Sequence, residues 1–220
     1  MSAHRRDKIP PCTLVGIIAS TDELRLATRM REPPDLFEVR LDHLPNLQES
    51  QLSRLRRPLI ITARHPAEGG ERCDRKRLLR KFLPYAKFVD IELRSMRELR
   101  EVWAEARRLA VGRICSVHDF KRTPELSLLR KQFSRSRRAN ANVFKLVTRA
   151  DSFRDLLTLF ELLWTQRLLM PVCVMAVGKF GPISRLLFRE VGSAFIYAPL
   201  RHALYDGQLT LGQLRKHRDF

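Results

Sequence analysis

Eight short apolar runs rich in β-branched residues recur along the chain and constrain its fold more than any other feature: residues 13–19, 36–42, 58–64, 88–93, 113–120, 143–148, 171–177 and 193–199. Each has the length of a strand and ends in polar or turn-forming residues. Amphipathic stretches with helical spacing separate them, among them 72–85, 97–110, 126–136, 152–166 and 183–191. Strands alternating with helices in this way predict a single α/β domain folded as a (β/α)8 TIM barrel. At 220 residues the chain is short for that fold, so its helices are expected to be brief and its loops spare. A doubly wound open sheet is the structural alternative. The Gly-rich phosphate turn typical of that fold is missing after the first run, where Ala19-Ser20-Thr21-Asp22-Glu23 stands. The barrel is expected to occupy residues 13–220 as the catalytic domain, behind a basic N-terminal lead-in over 1–12 that contains Pro10-Pro11.

Within the runs, side chains alternate between the two faces of the sheet, so polar residues at period two mark one face. Phe37, Val39 and Leu41 point one way and Glu38, Arg40 and Asp42 the other; Asp90 and Glu92 repeat the pattern in the fourth run. Arg64, His118 and Lys145 add one polar residue each near the end of an apolar run. A strand between two apolar layers carries no ionic stripe, whereas a barrel strand ending at an active-site mouth does. The charges are therefore expected to converge on one pocket.

Lys145 is the least comfortable of them, because Val143-Phe144-Lys145-Leu146-Val147-Thr148 otherwise reads as buried on both faces. A buried ammonium is either paired with a carboxylate, the bland reading, or neutral and nucleophilic. His118 closes the run Ser116-Val117-His118-Asp119-Phe120 and is read either as a hydrogen-bonded structural residue or as a general acid and base. Glu68-Gly69-Gly70 reads equally as a tight turn and as a carboxylate held on a glycine-permitted backbone. A lysine and a histidine in one barrel, with no metal or cofactor motif, suggest imine chemistry. Cys12, Cys73, Cys115 and Cys173 lack paired spacing, so neither disulfides nor a zinc site is expected.

Charge raises another class of function. The chain holds 42 Lys+Arg against 24 Asp+Glu, a net +18, which suits a polyanion binder or an enzyme with anionic substrates. The arginines, however, are spread over helical segments (Arg54, Arg56, Arg57; Arg75, Arg77, Arg80; Arg107, Arg108; Arg135, Arg137, Arg138) with little aromatic interleaving. Most are read as solvated faces, and nucleic acid is not expected as a partner. The apolar runs are too short to cross a membrane, and Met1-Ser2-Ala3-His4-Arg5-Arg6 lacks the apolar core of a secretory signal, so a cytoplasmic protein is expected.

From about residue 14 to 213 the chain resembles the type I 3-dehydroquinate dehydratases. The likeness rests on blocks in order: Glu38-Val39-Arg40-Leu41-Asp42; Thr62-Ala63-Arg64 before Glu68-Gly69-Gly70; Asp90-Ile91-Glu92; the His118 block with Thr123-Pro124; Lys145; and Met175 with Gly181, Ile183-Ser184-Arg185, Gly192-Ser193 and Gly207-Gln208. The resemblance implies that Lys145 forms a Schiff base with the ketone of 3-dehydroquinate and that His118, partnered by Glu68, moves the protons. It implies that Glu38, Arg40 and Arg64 grip the ring hydroxyls and orient the lysine, and that Arg185 clamps the substrate carboxylate. Met175 and Gln208 join the substrate-binding set, no cofactor or metal is needed, and a homodimer is expected. Arg40 and Arg64 are further expected to lower the lysine pKa. For Arg185 the bland alternative is a surface residue at a helix start.

The last loop departs from the pattern. The family usually offers a serine followed by Ala-Pro-Gly-Gln as a lid, whereas Ala203-Leu204-Tyr205-Asp206-Gly207-Gln208 has Leu204 for the serine and Asp206 for the proline. Residues 174–178 also lack a second methionine and serines found there. These differences leave a weak or repurposed barrel binding a polyanion through its basic surface as the alternative, with another Schiff-base lyase or aldolase as a third reading.

Overall fold

A computed structural model of the protein describes residues 12–217. The expected lead-in therefore lies, apart from Cys12, outside the described residues. Eight strands form: β1 (Thr13–Ile18), β2 (Leu36–Arg40), β3 (Leu59–Thr62), β4 (Phe88–Glu92), β5 (Gly112–Asp119), β6 (Val143–Arg149), β7 (Val172–Val177) and β8 (Phe195–Pro199). All hydrogen-bonded neighbours are parallel, in the order β7-β6-β5-β4-β3-β2-β1-β8. This order never reverses, as a doubly wound sheet requires. Instead the sheet curls until its two edge strands meet. The Ala194 N–H donates to the Val172 carbonyl at 2.8 Å, and the Val174 N–H to the Ser193 hydroxyl at 3.2 Å. The result is a nearly closed TIM barrel.

Helices follow the strands: α1 (Thr21–Arg29), α2 (Glu49–Leu52), α3 (Arg75–Phe82), α4 (Arg100–Arg108), α5 (Leu126–Arg138), α6 (Phe153–Gln166), α7 (Gly181–Glu190) and α8 (Leu211–Lys216). The brevity expected from chain length is met in α2 and α8, of four and six residues. Their ends are chemically marked. At α1 the Ser20 hydroxyl accepts the Glu23 N–H while the Glu23 carboxylate accepts the Ala19 N–H, a reciprocal cap that contributes about 1 kcal/mol. Many surplus arginines sit in the last turns of α4 and α5, where they complement the helix dipole. Arg75, grouped above with solvated arginines, is a correction: it is buried, its Nε donating to the Ala63 carbonyl and its Nη2 to Glu92. Its surroundings explain why. The first turn of α3 lies over the barrel wall, and Glu92 on β4 supplies an ionic partner that no feature of the helix itself announces.

The strands bury both faces. Outward side chains such as Phe37, Val39 and Leu41 join α1 and α3 in one cluster, while Phe144, Leu146 and Val174 join α5 and α6 in another. Inward, Val15, Leu36, Ile60, Phe88, Ile114, Val143, Cys173 and Phe195 plug the lower barrel, with Phe88 and Phe195 packed edge to face at 5.6 Å. Each such side chain contributes about 1.5–3 kcal/mol of burial. Above that plug, the inward positions turn polar.

Candidate active site

The polar level is dictated by strand register. Parallel pairing sets Thr62 beside Asp90 and Ser116 beside Lys145, two residues further along their strands than the apolar plug. Period two then lifts Arg64, Glu92 and His118 one level higher, at the C-terminal mouth, while Arg40 pairs with Thr62 two residues beyond Glu38. These groups, with α7 and the loop after β8, enclose a cleft of about 460 Å³ of open space. The catalytic and substrate-binding candidates line it, namely Lys145, His118, Glu68, Glu38, Arg40, Arg64, Arg185, Gln208 and Met175, whereas Asp42, Asp90 and Glu92, expected in the same pocket, are not among its lining residues.

Lys145 is 3% exposed and doubly paired. Its Nζ donates to Glu38 Oε1 at 3.1 Å and to Asp90 Oδ2 at 2.9 Å, and sits over the Tyr197 ring at 3.8 Å from the centroid. The carboxylates are themselves fixed. Thr62 donates its hydroxyl to Glu38 at 2.9 Å, Ser116 to Asp90 at 2.5 Å, and Arg64 Nη2 to Asp90 at 3.0 Å. Burial alone would raise the Asp90 carboxyl, but the Arg64 guanidinium and the Lys145 ammonium outweigh it and hold it well below the usual carboxylate range. Burial likewise opposes charge on Arg64, yet Asp90, Glu92 and Glu38 together push its pKa up. The two arginines expected to press on the lysine are thus committed elsewhere, because Arg40 holds Asp42 bidentately at 3.0 and 2.7 Å. The charges in contact with the ammonium are carboxylates.

Beside it lies a second unit. His118 Nδ1 and Glu68 Oε2 are 2.8 Å apart, with both side chains nearly inaccessible. Glu68 ends a short helical turn, Pro66–Glu68, which Gly69 stops at φ 79°, so both readings of the Glu-Gly-Gly segment hold at once. Burial is the largest influence on each partner. It pushes the Glu68 carboxyl up to about 7, only partly offset by Arg64, and it drives the His118 imidazole well below its usual value, helped by Arg64 and Lys145. A neutral imidazole with Nδ1–H donated to ionised Glu68 keeps the Nε2 lone pair free as a base. Arg64 Nη1 also approaches Nδ1, at 3.4 Å, which would require the opposite tautomer; the shorter contact to Glu68 decides.

Arg185 is buried in α7, contrary to the surface alternative. Its Nη1 donates to the carbonyls of Ala176 (2.8 Å), Gly181 (2.9 Å) and Gly207 (3.3 Å), and its Nε to that of Tyr197 (3.3 Å). Arg40, Arg64 and Lys145 each have a carboxylate partner within 4 Å, but among the described residues Arg185 has none. Desolvation consequently lowers its pKa to about 10. A guanidinium lining a cleft without a counterion has the charge and the planar fork that suit a carboxylate.

The loop after β8 closes one side. Gln208 Oε1 accepts the N–H groups of Leu204 (2.7 Å) and Tyr205 (3.1 Å), stiffening the turn from within. Leu204 and Tyr205 line the cleft, whereas Asp206 is exposed and lies 3.6 Å from Arg149 outside it. The carboxylate at the family's proline position therefore does not face the anion site. Asp90, Ser116 and Tyr197 were not singled out as site residues from the sequence. Asp90 was recognisable by its stripe with Glu92, but a serine and a tyrosine inside apolar runs carry no signal until the barrel brings them to Lys145.

Together the cleft presents an amine, a neutral base with a carboxylate partner, and an unpaired guanidinium. Residues 12–219 match the family model described as type I 3-dehydroquinase. The chain is 32% identical over 212 residues to 3-dehydroquinate dehydratase of Methanocella arvoryzae, across 93% of this chain and 94% of that one. It is 33% identical over 210 residues to the enzyme of the same name from Thermococcus gammatolerans, across 92% and 96%. In three dimensions it is similar to the crystal structure of 3-dehydroquinate dehydratase from Geobacillus kaustophilus, with a TM-score of 0.83, 26% identity, and coverage of 94% and 89%.

Proposed function

The chain belongs to the type I 3-dehydroquinase family, and from that premise we infer how its residues carry out the dehydration of 3-dehydroquinate. It is a hydro-lyase of the shikimate pathway that removes water from this substrate to give 3-dehydroshikimate. The observation supporting the residue assignment is that Lys145, the His118–Glu68 pair and the unpaired Arg185 share one cleft.

Arg185 receives the substrate carboxylate and sets the ring with its ketone toward Lys145. The ammonium first gives up a proton. Asp90, kept ionised by Arg64, is a poor acceptor, which leaves Glu38 at 3.1 Å. The free amine adds to the ketone, the resulting hydroxyl leaves as water with the proton Glu38 took up, and the iminium so formed draws electrons from the neighbouring carbon. His118 Nε2 takes a proton from that carbon, giving an enamine, while Glu68 steadies the imidazolium through Nδ1. The enamine then expels the ring hydroxyl, which takes the same proton back from His118 and departs as water. Hydrolysis of the conjugated iminium frees the product and restores Lys145. Glu38, Arg40, Met175 and Gln208 border the space left for the ring.

Borohydride added during turnover is expected to leave a reduced adduct on the peptide containing Lys145, and Lys145→Ala is expected to lose turnover and adduct together. An active wild-type enzyme that yields no adduct by mass spectrometry would overturn the mechanism. The polyanion-binding alternative has no structural observation in its favour.

The reading includes a homodimer working in the cytoplasm. Exposed apolar side chains on α6 and α7, with Phe153 and Trp164 the largest, support the dimer by offering a face for a second copy. Sedimentation giving only a species near 25.7 kDa would rule it out. Among the described residues no helix is long and apolar enough to cross a membrane.

A further inference from the structure

One side chain of the loop after β8 contacts a neighbour of each member of the proton-transfer pair. The Tyr205 ring stacks on Phe120, with centroids 4.1 Å apart and planes 15° from parallel. Phe120 follows His118 by two residues, and its ring lies 5.8 Å from the imidazole. The Tyr205 hydroxyl meanwhile donates to the Gly69 carbonyl at 3.4 Å, next to Glu68. That carbonyl also receives Arg40 Nη2 at 3.4 Å, so the turn carrying Glu68 is held from the barrel side and the lid side together. Gly69 is the residue this contact needs: it has positive φ, and a Cβ there would overlap the Tyr205 hydroxyl.

We propose that Tyr205 is a positioning residue that clasps the His118–Glu68 pair, so that seating the loop and aligning the base are one event. The inference rests on the proposed roles of His118 and Glu68. The loop supplies the clasp from an otherwise fixed frame. Gly207 gives its carbonyl to Arg185, the Asp206 carbonyl accepts the Gly178 N–H at 2.9 Å, and Gln208 braces the backbone on either side of Leu204. With its neighbours anchored, Tyr205 can lift only by breaking its stack on Phe120 and its bond to Gly69. Both losses loosen the Glu68–His118 contact and admit water to it. Water at the pair relieves the burial that sets its protonation, against the fixed charges around it: Arg40 on β2, Arg64 beyond β3, Glu92 on β4, Arg94 after it, Asp90 and Lys145.

The test titrates the imidazole of His118 by NMR in substrate-free protein, comparing the wild type with Tyr205→Leu, Phe120→Leu, their double variant and Tyr205→Phe. Each leucine variant is expected to move the midpoint toward that of an ordinary histidine by about half a pH unit or more, and the double variant no further than either single. Tyr205→Phe, which keeps the stack, should recover most of the shift. On 3-dehydroquinate the leucine variants are expected to lose about tenfold in kcat as well as raising KM. An unchanged His118 midpoint in Tyr205→Leu overturns the proposal, as does a rise in KM alone, which would make Tyr205 a simple cover. Because the titration needs no turnover, a wild-type protein inactive on 3-dehydroquinate would overturn the assigned reaction separately.

Discussion

Replacing Lys145 with methionine should cost stability as well as activity, and the cost should fall on one carboxylate. Methionine fills similar volume, so the main change is loss of the ammonium. Nζ lies 3.1 Å from Glu38 and 2.9 Å from Asp90. At an effective dielectric of about 20, each contact represents about 5 kcal/mol of attraction, most of which offsets the dehydration of the charges. Asp90 keeps Arg64 at 3.0 Å and Ser116 at 2.5 Å. Glu38 is left with the Thr62 hydroxyl at 2.9 Å and Arg64 at 3.8 Å, and is only 3% exposed. Breaking one side of a buried ion pair costs about 3–5 kcal/mol. For a chain of this size that lowers the melting temperature by about 6–20 °C. Adding Glu38→Gln to Lys145→Met removes the stranded charge and should return about 1–3 kcal/mol, although Glu38→Gln alone destabilises the wild type. Urea unfolding followed by far-ultraviolet circular dichroism gives all four corners of this cycle. A Lys145→Met protein as stable as the wild type, or a double variant less stable than Lys145→Met, would refute the reasoning.

Glu68 sets the acidic side of the activity profile. With its carboxyl near 7, kcat/KM should rise as pH climbs through about 7, because ionised Glu68 keeps the proton on Nδ1 and Nε2 free. Glu68→Gln should lower activity and abolish that inflection; a pH–rate profile in which it persists would assign it elsewhere. The same group predicts the sign of a stability change. Its folded value lies above the ordinary 4.5, so its contribution is fully present below 4.5 and lost as pH rises through about 7, and Glu68→Gln should gain on the wild type in denaturation experiments above neutrality. Arg185→Met should raise KM by about 10- to 100-fold, the loss of charge-assisted bonds worth about 1.5–3 kcal/mol. Arg185→Lys should recover only part of it, having the charge but not the fork. Unaltered KM values in both would remove Arg185 from the binding site.

The strands were legible because a residue's face follows from period two alone, and that sufficed to gather Glu38, Arg40, Arg64, His118 and Lys145 at one end of a barrel. Short helices were harder. Four residues, Glu49–Leu52, are too few to display a period, and α8, of six residues, falls short of two turns. The start of α1 has a local cause, since the Ser20 hydroxyl accepts the Glu23 N–H and the Glu23 carboxylate accepts the Ala19 N–H. What could not be read were partnerships across the barrel. Arg75 stands in a run of basic residues, and partners 12 and 17 positions away, the Ala63 carbonyl and Glu92, distinguish it from its neighbours. The lysine's environment was half readable for the same reason: a carboxylate partner was one of its two readings and geometry supplies two, whereas Arg40 and Arg64, expected to press on it, hold other partners.

With Arg185 as the proposed receptor of the substrate carboxylate, the lifetime of the protein is tied to the supply of its substrate. Folding brings this cation out of water with no carboxylate among the described residues to meet it, so the empty protein sits above the energy it reaches when a carboxylate arrives. On that reading a small carboxylate that fits the cleft is a folding ligand, and a free concentration a hundred times its dissociation constant adds about 2.7 kcal/mol against unfolding. A cell short of substrate would hold the less durable form, more open to proteolysis, and replenishment would preserve the chain with no separate regulator.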